Sequence, residues 1–253
     1  MTEAFADPFA DIASEYATFR PGYPAALFAY LASTSARHDL AWDCATGNGQ
    51  AALGLAPLFR RVVATDASAA QITAARSHPR VAYRVAPAHA SGLDAASVDL
   101  LTVAQALHWL DRDTFYVEAA RVLTPAGVLA VWTYGAPHLD DAQLDRVLTR
   151  HYTVVVGPCW PPERRVVDDG YRSISFPFAE LTAPPFEMAV SWPLAALLGY
   201  VRTWSASGRY RAEHGTDPTD ALAAALAPLW GPAERRICWP LTLRLGRRCQ
   251  ATG

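Results

Sequence analysis

The chain contains no lysine: all 22 of its basic side chains are arginine. With the heavy use of alanine, this reflects composition rather than function. Acidic residues number 24, so the formal net charge is only −2. A near-neutral balance without a basic stripe argues against nucleic acid or an anionic membrane as partner. Cysteine is scarce. Cys44, Cys159, Cys238 and Cys249 are far apart and form no CxxC pair, which excludes a zinc knuckle and a disulfide framework. No run of about 18 apolar residues is present, so no helix is expected to span a membrane. The first residues, MTEAFADPFADIASEY, lack a basic and then an apolar stretch. They predict no secretory leader and a cytoplasmic protein. What the chain does have is apolar substance: 51% hydrophobic residues, with 8 Trp, 10 Tyr and 9 Phe. That excludes a disordered or fibrous chain.

Apolar residues near helical spacing predict a helix over 7–19, broken by Arg20-Pro21-Gly22-Tyr23-Pro24. A second helix is expected over 24–36. Short, nearly continuous apolar runs then follow at 40–44, 62–65, 81–85, 98–103 and 128–133, with helical stretches at 50–59, 69–77 and 111–123. Strands this apolar are covered on both faces, as parallel strands are between crossover helices. Alternation of this kind reads as a doubly wound sheet. Beyond Gly135 the pattern changes to a helix over 140–156, a polar loop over 157–172, strands at 186–192 and 238–245, and helices at 193–205 and 218–229 between those strands. The two late strands are expected to form an antiparallel edge, and the helices a cap.

The most informative stretch is WDCATGNGQ at 42–50. A strand ends at Asp43, a turn of small residues follows, and a helix begins near Gln50. Small residues suit a turn where a ligand must approach the backbone, and the helix start offers free N–H groups to an anion. The next strand ends at Asp66, where a carboxylate is placed to accept hydrogen bonds from ribose hydroxyls. Ser68 fills the helix-capping role there better than Asp66 does. Two cofactors fit. Gly47-Asn48-Gly49-Gln50-Ala51-Ala52 satisfies the G-x-G-x-x-A dinucleotide fingerprint. The same segment satisfies the looser D-x-[GA]-x-G-x-G turn used for S-adenosylmethionine. The residues before the first strand, the acid at its end and the late antiparallel edge favour the second.

These residues resemble the class I S-adenosylmethionine-dependent methyltransferases, and most closely their small-molecule branch, the methyltransferase type 11 group. The resemblance rests on DCATGNGQ at 43–50, ATDAS at 64–68, VDLLTVAQALHWLD at 98–111 and RVLTPAGVLAVWTYG at 121–135. A softer likeness extends over YATFRPGYP at 16–24 and CWPPERRVVDDGYR at 159–172. It implies an α/β fold, with a doubly wound, seven-stranded, mixed but mostly parallel Rossmann-like sheet and a helical cap. It also implies one domain made of an N-terminal lid (1–37), a cofactor-binding core (38–135), and a cap with edge strands (136–253). The cofactor is S-adenosylmethionine, no metal is implied, and the acceptor is a small molecule. Ala45 and Gly47 line the methionine moiety with Asp43 behind them. Asp66 binds the ribose, and Ala67 contacts the adenosine edge. Ala88 and His89 flank the adenine, and Gln105 faces the sulfonium side. Two departures stand out. Ala45 replaces the usual first glycine, and Pro87 and His89 occupy the place of the frequent acid opposite the adenine.

Outside that core, His108 is the candidate general base, because its ordinary pKa lies near neutrality. A structural or cofactor-lining histidine is the alternative. Trp109 is either core or a substrate-facing surface. Tyr16, Arg20 and Tyr23 suggest a lid over the cofactor, with Arg20 near a carboxylate and Tyr23 toward the substrate, against an ordinary packed arm. Arg164 and Arg165 are candidates to clamp an acidic substrate, against a solvated turn partnered by Asp168 and Asp169. Trp192, Trp204, Trp230 and Trp239 read as core and cap packing. Transfer of a methyl group to a small molecule, with a carboxylic acid suited to the arginine-dotted cap, is the expected function. A nicotinamide-dependent reductase and a non-catalytic S-adenosylmethionine-binding protein are the alternatives.

Overall fold

The computed structural model describes residues 21–248. The helix expected over 7–19, with Tyr16 and Arg20, and Cys249 lie outside the described residues. Helix α1 (Ala25–Thr34) leads into five strands: β1 (Leu40–Cys44), β2 (Arg61–Asp66), β3 (Val81–Val85), β4 (Val98–Ala104) and β5 (Leu123–Tyr134). Between them run α2 (Gln50–Leu55), α3 (Ala69–Ala74) and α4 (Arg112–Val122). After a short β6 (His138–Leu139) come α5 (Ala142–Arg150), α6 (Arg164–Asp168), β7 (Ala179–Leu181), β8 (Phe186–Trp192), α7 (Leu194–Arg202), α8 (Ser205–His214), α9 (Pro218–Trp230) and β9 (Arg235–Arg247).

The strands form one sheet in the order β3-β2-β1-β4-β5-β9, with β6, β7 and β8 also paired to β9. The pairings among β1–β5 are parallel and those to β9 antiparallel. Nine strands are thus seen among the described residues where seven are expected. The register explains the difference. Tyr134 of β5 faces Leu241 and His138 of β6 faces Cys238, so β6 continues the line of β5 after a one-residue slip. On the other edge of β9, Leu181 faces Leu245 and Phe186 faces Leu241, so β7 and β8 likewise share one line. Nine strands therefore occupy seven positions.

Side chains alternate across the sheet as the period-2 geometry of strands requires. Leu100, Val128, Ala130 and Trp132 pack with α1, α2 and the cap helices. Leu101, Val103, Leu129 and Val131 pack with α4 on the opposite face. Full burial of a leucine such as Leu101 contributes about 1.5–3 kcal/mol, and truncation to alanine costs about 2–5 kcal/mol once the cavity is counted. Trp204, Trp230 and Trp239 are buried within the cap and against β9, as expected of packing residues. Cys44, Cys159 and Cys238 are free thiols.

Several boundaries differ from expectation for local reasons. The stretch over 140–156 is helical only to Arg150 and then widens into a π-type turn over His151–Val155. Helix α8 lies between the two expected cap helices and carries no sequence signal, because SASGRYRAEH buries only Ala206 and Ser207 and so has no apolar period. The register of β5 against β4 jumps between Val98↔Leu123 and Leu100↔Val128, so Pro125-Ala126-Gly127 bulges from the ladder. A Cβ on Gly127 would lie 2.9 Å from the Val98 carbonyl oxygen, which only glycine avoids.

The strand order reverses direction between β1 and β4. In open α/β sheets, ligands bind at such a switch, outside the carboxyl ends of the strands. The tips of β1, β2 and β4 carry Asp43, Asp66 and Gln105.

Candidate active site

The turn after β1 is built on alternating backbone handedness. Ala45, Gly47 and Gly49 have φ of 54°, 56° and 89°, while Thr46 and Asn48 remain on the ordinary side. Such alternation turns successive N–H groups toward one concavity, which favours an anionic or polar ligand. Gly49 is closed toward the sheet, since a Cβ there would sit 2.2 Å from the Tyr83 hydroxyl. Gly47 is open, with only Gln71 Oε1 at 3.8 Å from where its Cβ would be. The open side is a concavity with room for a ligand beside the Gly47 backbone.

Asp43 braces this turn from behind. Its fully buried carboxylate accepts hydrogen bonds from the Thr46 hydroxyl, from Ala52 N–H at 3.0 Å and from the Thr102 hydroxyl at 2.8 Å. Burial raises its pKa to about 6, against the pull of those three donors. At the tip of β2, Asp66 accepts from Gly47 N–H at 2.8 Å and from Ser68 N–H at 2.9 Å. The cap of α3 is Ser68, whose hydroxyl accepts from Gln71 N–H at 3.3 Å. Asp66 is thereby left half-buried at the edge of the concavity, beside an exposed Ala67.

The loop after β3 carries Ala88, half-buried, and His89, exposed. It starts with Ala86 N–H donating to the Asp66 carbonyl at 2.9 Å. Its far end is clamped by α4. Glu118 accepts from the backbone and hydroxyl of Ser91, and Arg121 donates to the Leu93 carbonyl at 2.7 Å. Hydrogen bonding from Arg121, assisted by Ser91, pulls the Glu118 carboxyl down to about 2 despite burial.

Gln105, at the tip of β4, has φ +56°. Its side chain is spent on β5: it accepts from the Thr133 hydroxyl at 2.8 Å and Tyr134 N–H at 2.9 Å, and donates to the Tyr134 carbonyl at 3.1 Å. What Gln105 offers the site is the strained bend it fixes, which sends the chain on to His108.

His108 lies on a short 3-10 turn (Leu107–Trp109) and bonds through Nδ1 to the hydroxyl of Tyr171 at 2.7 Å. Burial lowers its pKa to about 4, and the charge of Arg164 acts in the same direction. Trp109 is 45% exposed, with its ring 4.8 Å from that of His108. Arg164 stands at the start of α6. Its Nε donates to the Tyr152 hydroxyl at 2.7 Å and to Asp168 at 3.1 Å, and its guanidinium stacks over Trp160 at 4.6 Å. Neither Nη nitrogen has a partner among the described residues, and the side chain is 17% exposed. Arg165 is exposed, and no side-chain hydrogen bond or ion pair joins it to another described residue. Adjacent positions on a helix diverge by about 100°, so two neighbouring arginines rarely act as one clamp. Tyr23 packs edge-on against Trp132 at 5.3 Å, on the other face of the sheet from His108.

Tyr171, Tyr152 and Trp160 carry no individual expectation from the sequence, whereas Asp168 is an expected partner of the arginine pair and is found on Arg164. Tyr171 follows Gly170 in a left-handed turn (φ +59°), and its ring is fully buried. Among the described residues no three His, Cys, Asp or Glu side chains gather as a metal site, and no helix is long and apolar enough to cross a membrane.

The methyltransferase-domain family profile matches residues 42–131. A Dictyostelium discoideum protein with a provisional methyltransferase name is 36% identical over 206 residues, which cover 79% of this chain and 78% of that protein. The chain belongs to the class I S-adenosylmethionine-dependent methyltransferases. An Aspergillus candidus methyltransferase is 27% identical over 204 residues and is spanned over 64% of its length. A solved structure from Anaeromyxobacter dehalogenans, provisionally named a type II methyltransferase, is 47% identical with a TM-score of 0.87, covering 91% of this chain and 98% of that one. The family favours the S-adenosylmethionine reading of the segment 47–52 over the dinucleotide reading. The antiparallel β9 beside β5 is the edge expected of this fold.

Proposed function

We propose that this methyltransferase transfers the methyl group of S-adenosylmethionine to a carboxylate of a small-molecule acid. The carrying observation is Arg164, whose guanidinium is oriented through Nε by Tyr152 and Asp168 while its Nη pair has no partner among the described residues. A fixed fork of this kind suits a carboxylate. When bound, the cofactor supplies a methyl on a sulfonium, which a carboxylate oxygen displaces while the C–S electron pair stays on sulfur. An ionised carboxylate enters that displacement without losing a proton, so no general base is required.

The chain's own work is alignment and exclusion of water. The Ala45–Gly49 turn and Asp66 hold the methionine and ribose ends, while Ala67, Ala88 and His89 border the adenosine. Gln105 fixes the bend that faces the two substrates toward each other. Trp109 lines the acceptor's entrance. In this division, 1–37 acts as lid, 38–135 as cofactor core and 136–253 as cap within one domain.

The test is methyl transfer from S-adenosylmethionine labelled in its methyl group to a panel of mono-, di- and tricarboxylic acids, with matched amides, amines and alcohols. Label that appears on acids and is released as methanol by mild alkali supports the reading. Label confined to amines or alcohols overturns it.

A further inference from the structure

Tyr171 carries three features that packing alone does not require. It holds a non-glycine residue at φ +59°, a conformation that costs of order 1 kcal/mol or more and persists only where its surroundings enforce it. The enforcement is visible: Tyr171 N–H donates to the Val166 carbonyl at 2.8 Å, and Arg244 donates to the Tyr171 carbonyl at 2.9 Å. The ring is 0% exposed, and its hydroxyl reaches His108 Nδ1 at 2.7 Å.

The direction of that hydrogen bond follows from counting. A phenol oxygen has one proton to give and two lone pairs to accept with. Among the described residues, His108 Nδ1 is the one hydrogen-bond partner of this hydroxyl. If the imidazole were the donor, the phenol proton would be buried without an acceptor, which costs more than an idle lone pair. The Thr133 hydroxyl, beside it, gives its own proton to Gln105 Oε1 at 2.8 Å. Nδ1 of His108 is thus the acceptor, and the ring proton sits on Nε2.

We infer that Tyr171 is a positioning residue that holds His108 as the neutral Nε2–H tautomer, so that the imidazole presents a hydrogen-bond donor, beside Arg164, to an anionic acceptor. This rests on the carboxylate reading for the identity of the acceptor, but the tautomer itself does not. A histidine so held cannot take a proton through Nε2. The pair His108 Nε2–H and Arg164 Nη forms an anion receptor that favours an ionised acid over the corresponding amine or ester. The groups facing His108 are consistent with a ring that stays neutral. Among the described residues, Arg164 from α6 is the one charged side chain that bears on it, Tyr171 and Trp109 are uncharged, and Asp168 is engaged by Tyr152 and Arg164.

The experiment is nitrogen and carbon NMR of protein labelled at histidine, with His108 assigned from His108→Gln. The expected result is an Nε2–H imidazole whose shifts do not titrate between pH 5.5 and 8. In Tyr171→Phe the same ring should move toward the Nδ1–H form. An Nδ1–H ring in the unsubstituted protein, or protonation with a midpoint near 6.5, overturns the inference even if Tyr171→Phe does not fold. Where an acid is turned over, kcat/KM should be flat from pH 6 to 8, and Tyr171→Phe should raise KM by about tenfold or more. If the tautomer is as stated and no acid is methylated, the acceptor reading fails while the tautomer stands. If acids are methylated by a protein whose His108 is Nδ1–H, the reverse holds.

Discussion

The backbone N–H of Gly47 donates to Asp66 Oδ2 at 2.8 Å, so the turn after β1 and the tip of β2 are joined by one carboxylate. Asp66 therefore both shapes the cradle and faces it. Replacement by alanine removes a charged acceptor, worth about 1.5–3 kcal/mol for each hydrogen bond it makes. The expected outcome for Asp66→Ala is an S-adenosylmethionine affinity weaker by about 100-fold or more, read by calorimetric titration on protein shown to be folded by its melting transition. S-adenosylhomocysteine should weaken in parallel, because the ribose is common to both. A Kd within threefold of the unsubstituted protein removes Asp66 from the cofactor site.

Asp43 gives a pH signature of opposite sign to that of most carboxylates. Its folded pKa is about 6 and its ordinary value is 3.8. Between those values the folded chain holds the proton that the unfolded chain has released. Stability contributed by this group therefore falls as pH rises through the window and stays lost above it. Two pH units correspond to about 3 kcal/mol. Glu118, held at about 2, behaves conversely: its contribution is present above its ordinary 4.5 and is lost as pH falls. Asp43→Asn isolates the first effect. The amide oxygen can accept from Ala52 and Thr46, and the amide nitrogen can donate to the Thr102 hydroxyl. Melting temperatures of the two proteins, subtracted at each pH so that Glu118 cancels, should show the unsubstituted protein losing ground from pH 4 to 6. Parallel curves contradict a raised Asp43.

The cradle's backbone predicts a pair of opposite substitutions. Ala45 holds φ 54°, where an L-residue with a Cβ is disfavoured by about 1–2 kcal/mol. Ala45→Gly removes that strain, though it adds freedom to the unfolded chain. A net gain of about 0.5–1 kcal/mol is expected, or roughly 1–4 °C in Tm for a chain of this size. Gly49→Ala should do the reverse and cost more than about 2 kcal/mol. It combines a left-handed Cβ with a collision at Tyr83, whose hydroxyl is tied to the Arg76 carbonyl at 3.1 Å. Thermal melts of the two variants check both signs, and a stabilised Gly49→Ala would show that the turn is built otherwise.

The sequence made the core of the fold legible because that core is local. Strands β1–β4 and helices α2–α4 are short, apolar and separated by turn residues, so their periods survive in the sequence. Asp66 and Gly47 were readable as a pair because each sits at a strand's end. What the sequence hid is long-range. Tyr171 reaches His108 across 63 positions, and nothing near either residue records that contact. Arg164 and Arg165 look equivalent as neighbours in a chain, and only the packing of α6 against Tyr152 and Trp160 separates them. Gln105 read as a cofactor-facing side chain because it follows β4, yet its amide satisfies the backbone of β5.

That separation of the two arginines yields the sharpest functional contrast. Arg164→Gln keeps a polar side chain of similar length but removes the charge and the fork that an acid would engage. Its expected effect is a 10- to 100-fold loss of kcat/KM for an acid substrate, carried mostly by KM, since loss of one charged hydrogen bond amounts to about 1.5–3 kcal/mol. S-adenosylmethionine affinity should be unchanged. Arg164→Lys should recover little of the loss, because an ammonium cannot bond Tyr152 and Asp168 through one edge while offering two donors on the other. Arg165→Gln should remain within twofold of the unsubstituted protein in every parameter, because its side chain is exposed and hydrogen-bonds to no other described residue. Steady-state kinetics on the three variants with one acid decide the matter. Equal losses at Arg164 and Arg165 would mean that the acid is drawn in by general positive charge on the cap. A loss confined to Arg164 places the carboxylate against its two Nη nitrogens.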